Sequence, residues 1–509
     1  MNKKKFYITT SIAYTNSEPH IGHALEFVQA DVLARYHRQR GDEVFFQTGT
    51  DEHGKKIFEK ANSEKRDVQD FVDEISERFR HLAEVIGISN DCFIRTSDQK
   101  VHYPVVVDFW KKLVDKGDIY KDIYNALYCV GCEAFLGEKD LSDGLCPIHK
   151  KSPEHVSEEN YFFSLSKYIE RVRVLIEKDE IKIIPVNRKK EILNLLESER
   201  VSDVSFSRPK ESVGWGIDVP GDKSQKIYVW ADALTNYISG LGGLGAENYK
   251  KFWPADIHLI GKDILRFHAM IWPAMLLALD IETPKNIYVH GFITQEGEKM
   301  SKSLGNVVSP FALIEKYGKD ALRYYLLREI PSYQDGDFSA LRFQSRYEDL
   351  ANKLGNLISR VSAIAEKNKD ILGDIKISKD DESDIIKNIF FEYEKNIESF
   401  NLNLSLENIF KLVEISDKMI EESKLWELPK KDIDGFKKII KELALYMADT
   451  AYLLVPFLPD TSIKIFNVLG ISEDRCGWEK QILNIKKPDP IFPRIDTKVI
   501  SEKDASLIK

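Results

Sequence analysis

Between Phe6 and Gly41 the chain runs FYITTSIAYTNSEPHIGHALEFVQADVLARYHRQRG, and the switch of apolar period inside this stretch restricts the possible folds tightly. Phe6, Tyr7, Ile8, Thr9 and Thr10 are aromatic or β-branched with no polar alternation, the pattern of a strand buried on both faces of a parallel sheet. From Ile21 the spacing becomes helical: Ile21, Leu25, Val28, Val32 and Tyr36 stand at i, i+4, i+7, i+11 and i+15, one face of a helix that Gly41 stops. Between strand and helix lies Pro19-His20-Ile21-Gly22-His23. Two imidazoles at a helix start make an anion site, because the unpaired N–H groups and the positive end of the dipole attract phosphate. Gly22 leaves room there for a flat ring against the backbone. The same pair also reads as a solvated cap, and alone it decides nothing.

A second motif changes the balance. Lys299-Met300-Ser301-Lys302-Ser303 follows a strand-like run, Asn286 to Gly291, and a glycine-containing turn, Gln295-Glu296-Gly297-Glu298. By itself a Lys/Ser run is ordinarily a solvated loop. Paired with His20-Ile21-Gly22-His23, in this order and far apart, it resembles the two signatures of class I aminoacyl-tRNA synthetases. Ala13-Tyr14-Thr15-Asn16, Thr48-Gly49-Thr50-Asp51-Glu52-His53-Gly54, Val229-Trp230-Ala231-Asp232-Ala233 and Gly261-Lys262-Asp263-Ile264 narrow the resemblance to the methionyl-tRNA synthetase family. It extends from about Lys5 to Asp496.

A chain of 509 residues exceeds one core and implies roughly three or four units. Hydrophobic residues make up 43% and charged residues 30%, and no apolar run reaches the roughly 20 residues of a membrane helix. The start, MNKKKFYITTSIAY, lacks the apolar region and cleavage site of a secretory leader, so the expectation is a cytoplasmic protein without a membrane partner. The net charge of −9 weighs only weakly against a nucleic-acid partner, since binding depends on local patches. Of five cysteines three cluster, which favours a metal over disulfides.

That cluster reads Cys129-x2-Cys132, thirteen residues, Cys146-x2-His149. Two matched halves close a four-ligand shell suited to one structural Zn²⁺. A redox C-x-x-C is the competing reading, and it leaves the second half unexplained. The resemblance implies that this is the family's connective insertion, whose zinc knuckle helps shape the path of the tRNA acceptor end. The large editing insertion of the isoleucyl, valyl and leucyl enzymes is missing.

The βα rhythm predicts strands at Glu43 to Gln47, Cys92 to Arg95, Lys226 to Trp230, Ile257 to Gly261 and Asn286 to Gly291, and helices at Asp67 to Gly87, His102 to Gly117 and Asp263 to about Ala278. The expected fold is α/β: a split Rossmann-type parallel-sheet catalytic domain with a zinc-knuckle insertion, followed by an α-helical anticodon-binding bundle. The expected division is 1–118 for its first half, 119–224 for the insertion, 225–308 for its second half, 309–340 for a connecting stem-contact unit and 341–509 for the bundle. In that bundle Leu350, Leu354, Leu357 and Val361 share a face.

The resemblance also assigns residues. It implies ATP-dependent attachment of methionine to tRNA(Met), the initiator included, through a methionyl adenylate. His20, His23, Lys299 and Lys302 are expected at the ATP phosphates, Gly22 under the adenine, Asp263 at the adenosine and Asp51 at the methionine ammonium, with Mg²⁺ accompanying ATP. Ile12, Tyr14, Trp230, Ala233, Tyr237, Ile264 and His268 surround the methionine side chain, while Leu234 stands where the family commonly has proline. Asn356 and Arg360, one helical turn apart, read the anticodon, and Trp426 offers a stacking surface; beside Leu425 and Leu428, Trp426 also reads as a core residue. The tail from Lys486 to Asp496 looks like the family's terminal segment, and the expectation is a monomer. Three rivals stand beside this reading: a class I synthetase for another amino acid, a noncatalytic RNA-binding relative, and a zinc-dependent nucleotidyl transferase without tRNA.

Overall fold

The computed structural model describes residues 3–132, 134–136, 141–198, 201–295, 297–300 and 307–494, and they group into two compact units. The first comprises 1–19, 40–84 and 89–290, the second 20–39, 85–88 and 291–509.

A seven-stranded parallel sheet organises the first unit: β1 (Lys5–Thr10), β2 (Ala13–Tyr14), β3 (Glu43–Asp51), β4 (Cys92–Arg95), β5 (Lys182–Ile184), β6 (Ile257–Gly261) and β7 (Asn286–His290). The order across the sheet is β2-β3-β1-β6-β7-β5, with β4 also on β3. Strand β1 lies between β3 and β6, in register Phe6↔Val44 and Ile8↔Ile257. The chain therefore leaves β1 toward one edge and returns on its other side, the topological switch at which open α/β sheets bind ligands beyond their carboxyl ends. Phe6 to Thr10 are all buried, as their unbroken β-forming run requires.

Two strands depart from expectation. Lys226 to Trp230, read as the resumption of the parallel sheet, does not join it: Asp222–Ile227 is antiparallel to both Ser207–Pro209 and Asp218–Val219, and Val229–Ala233 is a short helix. Ile227, Tyr228 and Val229 are buried, and burial alone gives a short segment an apolar sequence whatever its backbone. Conversely, β5 comes from inside the expected insertion and pairs in parallel with β7, Ile183↔Ile287. Insertion and sheet share one core, in which Phe163, Ile176, Ile192 and Phe206 pack with Phe109, Ile260, Trp272 and Val289.

The second unit holds the Ile21–Gln39 helix, a small sheet and the C-terminal helices. Ile293–Gln295 pairs antiparallel with Glu298–Lys299 and parallel with Gly336–Phe338. Asp337 staples this hairpin, accepting hydrogen bonds from Thr294 Oγ1 at 2.8 Å and the Gly297 amide at 2.9 Å. Helices follow at Pro310–Tyr317, Lys319–Arg328, Ala340–Asp349, Asn356–Lys367, Asp384–Glu398, Leu402–Ser423, Ile433–Leu454 and Pro459–Leu469. The predicted face of Leu350, Leu354, Leu357 and Val361 is at most 1% exposed.

Arg323 ties this unit together from its centre. Fully buried, it meets the Asp31 carboxylate at 2.8 Å and donates from Nε to the Phe457 carbonyl at 2.7 Å and from Nη2 to Pro456 at 2.9 Å. The ion pair and the two carbonyl acceptors match its charge, Nε and Nη2, while Nη1 finds no acceptor among the described residues, and the pairing fixes the Ile21–Gln39 helix against the Lys319–Arg328 helix and the 456–457 turn. Among the described residues no helix is long and apolar enough to cross a membrane.

Candidate active site and metal centre

In the first unit Asp51 closes β3 and stands opposite Tyr14 of β2, so strand pairing alone brings these two predicted residues together. Asp51 is 8% exposed, and its carbonyl accepts from Thr15 N at 3.0 Å and Thr15 Oγ1 at 3.1 Å. Ile12 is half-buried in the turn between β1 and β2.

The other predicted methionine residues gather after Ile227 and after β6. The backbone beyond Gly261 passes from a 3-10 turn, Lys262–Ile264, through a π-helical stretch, Phe267–Ile271, into the Trp272–Ala278 helix. Such π insertions rotate side chains out of helical register and recur at functional sites. Here His268 is aimed at Tyr237. His268 Nδ1 lies 2.9 Å from the Ile264 carbonyl, an acceptor only, so Nδ1 carries the proton and Nε2 accepts from the Tyr237 hydroxyl at 2.6 Å. Burial pushes the His268 pKa down to about 4, which keeps the ring neutral near pH 7. Trp230 stacks on Phe267 at 3.8 Å and 4° and meets His268 edge-on at 6.2 Å. Ala233 is buried on the Val229–Ala233 helix and Ile264 is half-buried, while Asp263 is exposed just beyond β6. The result is an uncharged aromatic cluster with one oriented Tyr–His pair.

Leu234, at the position where proline is common in the family, is 1% exposed and donates its amide to Trp230 O at 3.2 Å, a bond proline lacks. Sequence reasoning missed Phe267, although an aromatic next to His268 was a signal for it. It also missed a buried group in which the Asp232 carboxylate lies 2.6 Å from His53 Nδ1 and 2.7 Å from His102 Nε2.

In the second unit the His20 and His23 rings lie against each other, 3.9 Å between centroids and tilted by 30°. The Gly22 amide donates to His20 Nδ1 at 3.0 Å and the His20 amide to His23 Nδ1 at 3.1 Å. Main-chain donors thus occupy both Nδ1 lone pairs and place the imidazole protons on Nε2, an arrangement that could offer an anion two N–H donors. A Cβ on Gly22 would lie 2.8 Å from His20 Cε1, so a side chain there would displace the ring. The Ile21 amide donates to Val308 O at 3.1 Å, joining the helix start to the chain just after the second signature. Lys302 lies outside the described residues, and Lys299 is described only as the backbone partner of Thr294.

The four predicted metal ligands meet. Their donor atoms lie within 4.8 Å of one another, with Cys132 Sγ 3.6 Å from Cys146 Sγ and 3.3 Å from His149 Nδ1, and His149 Nδ1 3.8 and 3.9 Å from Cys146 and Cys129. A tetrahedral ion with bonds of about 2.0–2.3 Å needs ligand–ligand edges of roughly 3.5–3.8 Å, so the cluster fits a metal ion without an open position. Gly131 makes the fit possible, because a Cβ there would sit 2.3 Å from the His149 ring. A tight turn links the halves, with reciprocal Ser142–Leu145 amide bonds of 2.9 and 3.0 Å and Gly144 at φ +75°.

On the helical part of the second unit Asn356 is exposed at the start of its helix, immediately after a π-helical stretch, Leu350–Gly355. Arg360 donates to Glu421 at 2.6 Å. Trp426 is 49% exposed, which removes the core reading and leaves a ring face for stacking.

The fold agrees with what the chain resembles. The sequence model of a family described as "tRNA synthetases class I (M)" matches residues 6–148 and 137–362, and the chain belongs to that family of class I synthetases. Its relatives include the methionine–tRNA ligases of Rickettsia conorii, 41% identical over 96% of this chain and 99% of that protein, and of Caldanaerobacter subterraneus subsp. tengcongensis, 41% identical over 100% and 81%. Among solved structures it is similar to the methionyl-tRNA synthetase of Mycobacterium tuberculosis in complex with methionyl-adenylate, with a TM-score of 0.88 and 34% identity covering 96% of this chain and all of that one.

Proposed function

We propose that the chain is a methionine–tRNA ligase that forms methionyl adenylate from methionine and ATP and passes the methionyl group to tRNA(Met). The observation that carries the reading is the uncharged cluster of Trp230, Phe267, Tyr237 and His268. A thioether offers little to hydrogen-bond, so it is selected by shape and by sulfur contacts with aromatic edges, and a neutral histidine suits it better than an imidazolium. Ile12, Tyr14, Ala233 and Ile264 complete the side-chain wall in this reading, and Asp51 holds the ammonium.

The methionine carboxylate attacks the α-phosphorus of ATP and pyrophosphate leaves; the terminal ribose hydroxyl of the tRNA then attacks the adenylate carbonyl and releases AMP. Neither step needs a protein nucleophile. The residues orient the reactants and stabilise charge moving toward the leaving group. His20 and His23 donate from Nε2 to phosphoryl oxygens, Gly22 leaves space for the adenine, Asp263 seats the adenosine, and Lys299 and Lys302 take the β- and γ-phosphates. Mg²⁺ accompanies ATP. Cys129, Cys132, Cys146 and His149 would hold one Zn²⁺, which supplies a structural cross-link and no chemistry to the reaction. Asn356, Arg360 and Trp426 read the anticodon, and the functional division follows 1–118, 119–224, 225–308, 309–340 and 341–509. A cytoplasmic monomer serving initiator and elongator tRNA completes the reading, with sedimentation of the purified protein as the check on its oligomeric state.

The deciding experiment is exchange of labelled pyrophosphate into ATP across the twenty amino acids without tRNA. Exchange with methionine alone is the expected result. Exchange with another amino acid keeps the class I chemistry and discards the pocket assignment, while exchange with none favours a noncatalytic RNA-binding relative.

A further inference from the structure

Asp232 is buried to 1% side-chain exposure between His53 and His102, themselves 2% and 0% exposed. The chain of contacts continues outward at both ends. His53 Nε2 faces the Tyr103 hydroxyl at 3.1 Å, and His102 Nδ1 faces Ser239 Oγ at 2.7 Å. Desolvation alone would raise the Asp232 pKa, but the two imidazoles outweigh it and hold the group below the usual carboxylate range. An ionised carboxylate only accepts, so His53 must carry a proton on Nδ1 and His102 one on Nε2.

What this relay joins gives it a function. His53 stands two residues after Asp51, at the end of β3. Asp232 lies on the five-residue helix that carries Trp230 and Ala233, and Ser239 on the four-residue helix that carries Tyr237. His102 and Tyr103 open the His102–Asp115 helix. Helices of four and five residues do not hold their own orientation in water. One buried charge with two charge-assisted hydrogen bonds sets the position of both relative to Asp51.

We infer that Asp232, with His53 and His102, positions the methionine-reading segments, fixing the side chains of Trp230, Ala233 and Tyr237 against the ammonium-binding Asp51. This rests on the ligase reading above. The relay touches no substrate in this account; it acts through the residues that do. Its cost, an anion taken out of water, is accepted because a misplacement of about 1 Å in a reacting complex lowers the rate on the order of 10²-fold.

The test is Asp232→Asn in the full chain. Asparagine keeps the shape and the number of hydrogen bonds but donates on one side, so one imidazole must reverse. Pyrophosphate exchange is measured against methionine at saturating ATP, then against ATP at saturating methionine. The expected result is a loss of roughly 10²-fold in kcat/KM for methionine with KM for ATP unchanged within about twofold, together with loss of one of the two carboxylate-bound N–H signals, Nδ1–H of His53 or Nε2–H of His102, in ¹⁵N spectra. Unchanged constants for methionine, or a KM for ATP raised as much as the KM for methionine, would overturn the inference. Should Asp232→Asn not fold, Ser239→Ala removes only the outer end, and an unchanged KM for methionine in that variant overturns it equally. Absence of methionine-dependent exchange in the unmutated protein would bring down the ligase reading itself, a result distinct from any difference between variants.

Discussion

His20 and His23 show how a backbone can choose a tautomer. Each Nδ1 accepts a main-chain amide, so both donors lie on Nε2 before any substrate arrives. Groups of this kind act on charge that develops in the transition state. Replacing His20 or Lys302 with alanine is therefore expected to lower the rate of methionyl-adenylate formation roughly 10²-fold or more while KM for methionine and ATP changes little, and rapid pyrophosphate-exchange kinetics would check it. An unchanged rate in either variant would remove that residue from the phosphate-binding role.

At the scale of elements, the knuckle and the Ile433–Leu454 helix each support a prediction. Cys146→Ser removes one of four matched donors, so metal analysis is expected to fall from one zinc per chain and the melting temperature to drop, while exchange without tRNA stays within about threefold of the unmutated protein. On the helix, Asp449 is fully buried, and although Arg475 Nε lies 3.1 Å away, burial pushes its pKa up to about 7. The unfolded carboxyl ionises near 3.8, so between there and about pH 7 the folded state holds a proton that the unfolded state releases, and stability falls as pH rises. Asp449→Asn abolishes that dependence. Relative to the unmutated protein it is expected to gain on the order of 2.5 kcal/mol between pH 5 and pH 8, read from denaturant midpoints at the two pH values. The difference in stability between the two proteins staying constant with pH would refute it.

Elements also show where a sequence can and cannot be read. Ile21 to Tyr36 and Cys129 to His149 were legible because their signals are local: a fixed period, or matched ligand pairs a few residues apart. The strand from Lys226 to Trp230 was misread because its apolar run records burial, and burial does not specify strand or helix. Strand β5 is three residues long and carries no period at all. The grouping of His53, His102 and Asp232 could not be found in advance, since Asp232 lies 179 and 130 residues from the two histidines and they meet only after the sheet has formed.

Over the whole molecule, the predicted methionine residues Asp51, Trp230, Tyr237 and His268 belong to the first unit, while His20 and His23 share the second with Asn356, Arg360 and Trp426. The anticodon assignment, rather than the division by unit, predicts a separable defect. Arg360→Ala is expected to leave methionine-dependent pyrophosphate exchange intact and to lower kcat/KM for tRNA(Met) by roughly 5- to 150-fold, the range of about 1–3 kcal/mol that one side chain contributes to base discrimination. A parallel loss in both assays would place Arg360 in the stability of its bundle, where its bond to Glu421 already lies.

The pairing of β1 with β6 has a consequence for synthesis on the ribosome. Tyr7 donates its amide to the carboxylate of Asp256, 249 residues later. At about 5–20 residues per second, roughly 12 to 50 seconds separate the emergence of the two. Strand β3 follows β1 closely, so a nascent β1–β3 pair presents an unpartnered central edge for most of that interval. Such an edge is a template for other chains. The growing polypeptide exposes that edge until its second half arrives, and the insertion that carries the knuckle lengthens the exposure.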